Sequence, residues 1–135
     1  MEKQMGPFPI GNPNTVYEKY FVGKSWLDML STEGITVGNV TFEPGCRNNW
    51  HIHKATSGGG QILLCTYGRG WLVEWGKPPR ELKAGDVAHI HPGIKHWHGA
   101  AKDSWFVHLS LEVPGVDAKT EWLEPVSEAE YDKLS

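Results

Sequence analysis

Apolar and polar side chains alternate along residues 34–45, GITVGNVTFEPG, with Ile35, Val37, Val40 and Phe42 as candidates for burial. Residues two apart on an extended chain share a face, so this spacing predicts a half-buried strand. The alternation slips at Gly38-Asn39, which predicts a bulge, and Glu43-Pro44-Gly45 closes the strand with a turn. Similar segments recur along the chain. TVYEKYFVG (15–23) reads as a first strand and SWLDML (25–30) as a second short element, and NWHIH (49–53) opens another. GQILLCTYGRGWLVEWG (60–76) reads as a hairpin whose arms join through Gly68-Arg69-Gly70. After the turn-rich KPPRELKAGD (77–86), three more short strands follow: VAHIH (87–91), IKHWHGA (94–100) and SWFVHLSLEV (104–113). Ser127-Glu128-Ala129-Glu130 is a capping box that predicts a short helix over 127–134, and residues 1–14, rich in Pro, Gly and Asn, read as an extended arm.

Short strands at regular spacing with turn chemistry between them predict an all-β sandwich or closed barrel. Neither a repeat nor a linker interrupts the 135 residues, which predicts a single domain over 1–135. Sixteen glycines, nine prolines and seven tryptophans agree with many tight turns and aromatic-rich strands. A net charge of -3 without a basic run argues against nucleic acid. No apolar stretch approaches the roughly 20 residues that span a bilayer. The opening MEKQMGPFPIGNPN lacks the continuous apolar segment of a secretory signal, so a cytoplasmic protein is expected. Cys46 and Cys65 are too few for a disulfide framework and read as buried or half-buried thiols.

Histidine changes the picture. All seven fall between His51 and His108. His51 and His53 project to one face of a strand, about 6–7 Å apart along the chain, and His96 and His98 form a second such pair. In SWFVHLSLE one face carries Trp105, Val107, Leu109 and Leu111, and the other carries Phe106, His108, Ser110 and Glu112. Both sides of this strand are thus expected to be enclosed, one by core and one by a polar cavity. Trp50 and Trp97 alternate with these histidines and are expected to pack on the opposite faces. The other tryptophans, Trp122 among them, read as core or interface residues. His89 and His91 read as strand-end residues near the sheet surface. Imidazole is the commonest protein metal ligand, and three from converging strands with one further ligand leave positions open for water or substrate.

The chain here resembles the cupin family, whose two motifs are G-x5-H-x-H-x3–4-E-x6-G and G-x5-P-x-G-x2-H-x3-N. Gly45, His51, His53, Gln61 and Gly68 follow the first, and Gly85, Gly93 and His96 follow the second. Gln61 stands in place of the glutamate, His91 in place of the first proline and Ala100 in place of the asparagine. The spacer from His53 to Gln61 is lengthened by KATSGGG. The resemblance implies a jelly-roll barrel (a double-stranded β-helix) enclosing one divalent transition metal, with an arm that in cupins often pairs with a neighbouring subunit. A homodimer or a tetramer of dimers is therefore expected.

A glutamine carbonyl is a neutral ligand, so the site would keep the full charge of the metal and favour an anion. Alternatively, Gln61 is no ligand, and three histidines with waters hold the metal. Within the cupins, VTFEPG, WHIH, KHWHGAA and HLSLE resemble segments of bacterial manganese hydroxynitrile lyases, which cleave or form cyanohydrins. That resemblance implies manganese held by His51, His53, Gln61 and His96, with iron, zinc or nickel as alternatives. It implies His108 as the general base. His98 either transfers protons as well or points outward. The chain is similar, too, to cupin partners of carboxymuconolactone-decarboxylase proteins. The expected function is a metal-dependent lyase acting on a small hydroxy or oxo compound. An Fe(II) dioxygenase or other oxidoreductase and a non-catalytic metabolite-binding cupin are the alternatives.

Overall fold

The strands are all paired antiparallel, and the long eighth one ties them into a barrel. A computed structural model describes residues 5–134. In chain order the strands are β1 (Asn12–Pro13), β2 (Phe21–Val22), β3 (Ser25–Ser31), β4 (Thr36–Phe42), β5 (Arg47–Asn48), β6 (His51–Lys54), β7 (Ser57–Gly58) and β8 (Gln61–Glu74). They continue with β9 (Arg80–Lys83), β10 (Val87–Ile90), β11 (His96–Ala100), β12 (Phe106–Glu112), β13 (Gly115–Val116) and β14 (Lys119–Trp122), and helix α1 (Glu128–Asp132) follows. One wall runs β1-β3-β4-β12-β8-β10, and the other joins β2, β5, β6, β14 and β9 around β11 and β8. Residues 61–68 of β8 pair with β12 and β10, while residues 69–74 pair with β9 and β11. This is the all-β double-stranded β-helix. Among the described residues, no helix is long and apolar enough to cross a membrane.

The sequence predicted a hairpin where β8 runs unbroken, because Gly68-Arg69-Gly70 has the composition of a turn. Its glycines serve close approach instead. At Gly68 (φ +76°) a Cβ would lie 1.8 Å from the Trp105 carbonyl oxygen, and at Gly70 it would lie 2.5 Å from the Phe106 ring. The chain can therefore pass from one wall to the other without reversing. The expected first strand over 15–23 is also shorter. A 3-10 turn at Glu18–Tyr20 leaves only Phe21–Val22 extended. Tyr17 and Tyr20, three residues apart, both meet Trp122, at ring centroid distances of 6.4 and 4.5 Å. The bulge lies on β3 rather than at Gly38-Asn39, where Met29 pairs with Gly38 and Ser31 with Val37. Strands β5, β7, β9, β13 and β14 are not predicted by the sequence pattern.

Inside the barrel, Phe42, Leu63, Leu72, Leu82, Ile90 and Phe106 form the core with Cys46 and Cys65. A second apolar cluster forms outside, where Trp50 and Trp97 meet Val126 and Tyr131 of the C-terminal segment. The two tryptophans thus lie away from the site histidines, as their alternation implied. Ser127 and Glu130 make the expected capping box of α1. The helix is held down by the Tyr131 hydroxyl, which donates to the Ala100 carbonyl at 2.6 Å, and by the Arg47 guanidinium over its ring. The described part of the N-terminal arm lies along its own barrel. Its β1 pairs with β3, and the Pro9 carbonyl accepts from Asn39 Nδ2 at 2.8 Å. Residues 1–4 of the predicted arm lie outside the described residues.

Burial raises the Cys46 thiol far above its ordinary range, with the Glu43 carboxylate adding to the effect, and burial pushes Cys65 up to about 11. A thiol held protonated is a poor nucleophile. A chromogenic disulfide reagent is therefore expected to label neither cysteine in the native protein, and to label both after denaturation. Fast stoichiometric labelling of the folded chain would contradict the packing described.

Candidate metal centre

Strand register assembles the site. His96 of β11 is the direct cross-strand partner of His51 in β6, so their rings meet with centroids 4.2 Å apart. On the other side of β6, β14 sets Thr120 opposite His53 and Trp122 opposite His51. Gln61, the first residue of β8, stands opposite Glu112 of β12. The inserted KATSGGG segment folds back as β7, which pairs with β13, and leads through Gly60 (φ +102°), where a Cβ would lie 2.7 Å from the Ile90 carbonyl oxygen. Glycine is what lets the longer loop rejoin the sheet at Gln61.

The hydrogen bonds fix which ring nitrogens are available. His51 Nδ1 donates to the Asn49 carbonyl at 2.8 Å and His96 Nδ1 to the Ile94 carbonyl at 2.9 Å. A carbonyl can only accept, so both Nε2 atoms carry a lone pair. Nε2 of His96 is fully buried without any hydrogen-bond partner among the described residues. A buried imidazole nitrogen left unpaired is costly in a finished protein and fits a metal bond. His53 bonds Thr120 Oγ1 through Nδ1 at 3.1 Å, and its Nε2 faces Gln61 Oε1 at 3.0 Å. Two atoms each about 2.1 Å from one metal and at right angles to each other would be about 3.0 Å apart. The rings of His51 and His96 each lie 5.2 Å from that of His53.

Ligand nitrogens of His51, His96 and His98 lie within 4.8 Å of one another. The tightest trio thus contains His98 where the sequence suggested His53. The nitrogens of His98 are, however, already engaged. Asn48 Oδ1 accepts from the His98 backbone N–H at 2.9 Å, which turns the Asn48 Nδ2 amide toward the imidazole, 3.2 Å from its Nε2. The same amide lies 3.4 Å from Nδ1, and its shorter contact assigns Nε2 as the acceptor, which leaves Nδ1 to donate to His108 Nε2 at 3.1 Å. His98 does not point outward.

Burial is the main cause of low basicity at four of these histidines. It holds His96 and His108 down to about 4, and it holds His51 and His98 well below the ordinary imidazole range. Neighbouring imidazoles add to this at His51 and His98. These four rings are neutral at neutral pH, the form that binds a metal or accepts a proton.

The site opens into a cavity of about 490 Å3, within the usual range for small-molecule pockets of about 300–1,000 Å3. His51, His53, Gln61 and His98 form its polar floor with Asn48 and Thr120. Phe21, Leu27, Met29, Val40, Phe42 and Trp122 form apolar walls. His108 is fully buried and contacts Phe42 and Phe106, one ring behind His98. The inner face of β12 accordingly grades from core at Phe106, through His108, to cavity at Ser110 and Glu112. Outside the cavity, His89 and His91 are exposed, as expected. Trp122, Thr120 and Asn48 are among the cavity residues that the sequence does not single out. The alternation of Lys119 and Glu121 with Thr120 and Trp122 was the available signal for β14. Nothing in the sequence singled out Asn48.

No family model matches the chain. It is 40% identical over 93 residues to the (R)-mandelonitrile lyase of Granulicella tundricola, a match covering 69% of this chain and 68% of the relative. A cupin-like protein of Thermotoga maritima superimposes with a TM-score of 0.83 at 40% identity, covering 95% of this chain and 96% of that structure. A Cupin 2 conserved barrel domain protein of Salinispora arenicola, 21% identical, shares the fold with a TM-score of 0.54 over 82% of this chain and 80% of its own. With a three-histidine cluster suited to a divalent metal inside such a barrel, the chain belongs to the cupin family and resembles its hydroxynitrile lyases.

Proposed function

We propose that the protein is a divalent-metal lyase that cleaves or forms cyanohydrins of small carbonyl compounds. His51, His53, His96 and Gln61 would hold the metal, with manganese as the first choice. The observation that carries this reading is the orphaned, buried Nε2 of His96, set among other neutral imidazoles. The 40% identity to a mandelonitrile lyase supports the choice of substrate class. Bound there, the ion supplies a cationic centre that polarises an oxygen and stabilises a departing anion.

The chain's own residues handle the proton and the substrate body. The apolar walls, Trp122 and Phe42 included, take the aryl or alkyl group. His98 lines the cavity and His108 backs it, so His98 takes the role that the sequence suggested for His108. The cyanohydrin hydroxyl competes with the Asn48 amide for the Nε2 lone pair of His98 and gives up its proton there. The O–H electron pair becomes the second bond of the carbonyl as the C–CN bond breaks, and cyanide leaves with that bond's electrons. His108, accepting from His98 Nδ1, keeps the ring oriented while it is charged. Because burial makes His98 a weak base, the proton passes on to cyanide, and HCN departs. Exposed Met29 and Leu30 on β3, with Ile35 beside them, support a dimer formed through this edge.

The direct test is mandelonitrile cleavage, followed as benzaldehyde release. Turnover that appears with added Mn(II) and disappears with a chelator is the expected result. Release no faster than in protein-free buffer under both conditions would overturn the proposal.

A further inference from the structure

Gln61 and Glu112 are direct cross-strand partners, and the contact between them is specific. The Gln61 amide nitrogen donates to Glu112 Oε2 at 3.0 Å and to the Ser110 hydroxyl. A carboxylate can only accept, so this contact decides which way round the amide stands. Nε2 faces β12, and Oε1 is left facing His53 Nε2. The second carboxylate oxygen of Glu112 lies 3.7 Å from His53 Nδ1, the nitrogen that bonds the Thr120 hydroxyl. Glu112 thus touches the outer sides of two groups whose inner atoms face each other.

We propose that Glu112 is a positioning residue of the metal centre, turning the Gln61 carbonyl oxygen into the site and supplying from one bond further out the charge that a neutral ligand leaves out. The inference rests on the ligand set proposed above. An amide turned the other way would present an NH2 group, which has no free lone pair for a metal. Ser110 cannot prevent that reversal alone, because a hydroxyl both donates and accepts. A carboxylate can. Its charge also polarises the amide, shifting electron density toward Oε1. The Glu112 side chain is 45% exposed, so solvent screens this second effect, and orientation is the larger part. The arrangement holds the ligand as strictly as a glutamate would while leaving the ion more cationic toward an incoming anion.

The test is the Mn(II) dissociation constant, read by competition with a fluorescent chelator, for wild type and four variants: Gln61→Ala, Glu112→Gln, Glu112→Asp and the exchange Gln61→Glu with Glu112→Gln. Melting of the metal-free proteins checks folding, and Glu112→Asp provides a milder change should Glu112→Gln fold poorly. Glu112→Gln is expected to weaken binding about 10-fold, the low end for a residue that orients a ligand. Glu112→Asp should fall between it and wild type, and Gln61→Ala should lose at least as much as Glu112→Gln. The exchange should recover or exceed wild-type affinity, since the charge then sits on the ligand itself. Wild-type affinity in Glu112→Gln alongside weakened Gln61→Ala would overturn this inference alone. Unchanged binding in Gln61→Ala would overturn it while leaving a three-histidine centre standing. No Mn(II) binding by wild type would overturn both readings.

Discussion

His98→Gln is expected to lower cyanohydrin turnover about 10^2- to 10^4-fold, the range spanned by loss of a positioned acid–base group, while leaving metal content unchanged. Glutamine keeps a donor and an acceptor for Asn48 and His108 but cannot take up a proton. Metal content separates this account from its nearest rival. His51, His96 and His98 bring their ligand nitrogens within 4.8 Å of one another, which makes a rival trio. If His98 were a ligand, the variant would lose metal along with activity. Activity falling at constant metal content identifies it as the proton acceptor.

Gly68→Ala is expected to cost about 3–5 kcal/mol, a large share of the roughly 5–15 kcal/mol that holds a domain folded. The new methyl would be placed 1.8 Å from the Trp105 carbonyl, so backbone, not a mobile side chain, would have to yield. Gly76→Ala is the control. Its φ of +82° is similar, but a Cβ there meets nothing within 4 Å among the described residues, and only the left-handed backbone penalty of about 1–2 kcal/mol should appear. Denaturant melts of the two variants measure the difference. Equal losses would mean that Gly68 is needed for its backbone angle alone and would remove the close-approach account of β8.

That account also explains why the sequence suggested a hairpin. Gly-Arg-Gly is turn composition, and the carbonyl that excludes a side chain at Gly68 belongs to Trp105 on another strand. Features carried by near neighbours were legible. The His-x-His pair, the alternation that turns Trp50 and Trp97 away, and the capping box at Ser127 all follow from spacing along a single element. What failed to show depends on register between distant strands. Thr120 meets His53 from 67 positions away, and Asn48 meets His98 from 50. The alternation along β12 turns His108 inward but does not give its depth. That it stands behind His98 follows from how β11 and β12 sit against β8 and from the Phe42 and Phe106 rings that enclose it.

On the proposed function, these buried imidazoles together hold one divalent metal. The most direct measurement is metal content per chain by mass spectrometry, for wild type and for His96→Ala, each loaded with Mn(II) and then freed of loosely bound ions by gel filtration. The account expects about one ion per chain in wild type and less than about a tenth in the variant, with both folded by circular dichroism. Equal content in the two proteins, or none in wild type, would contradict it.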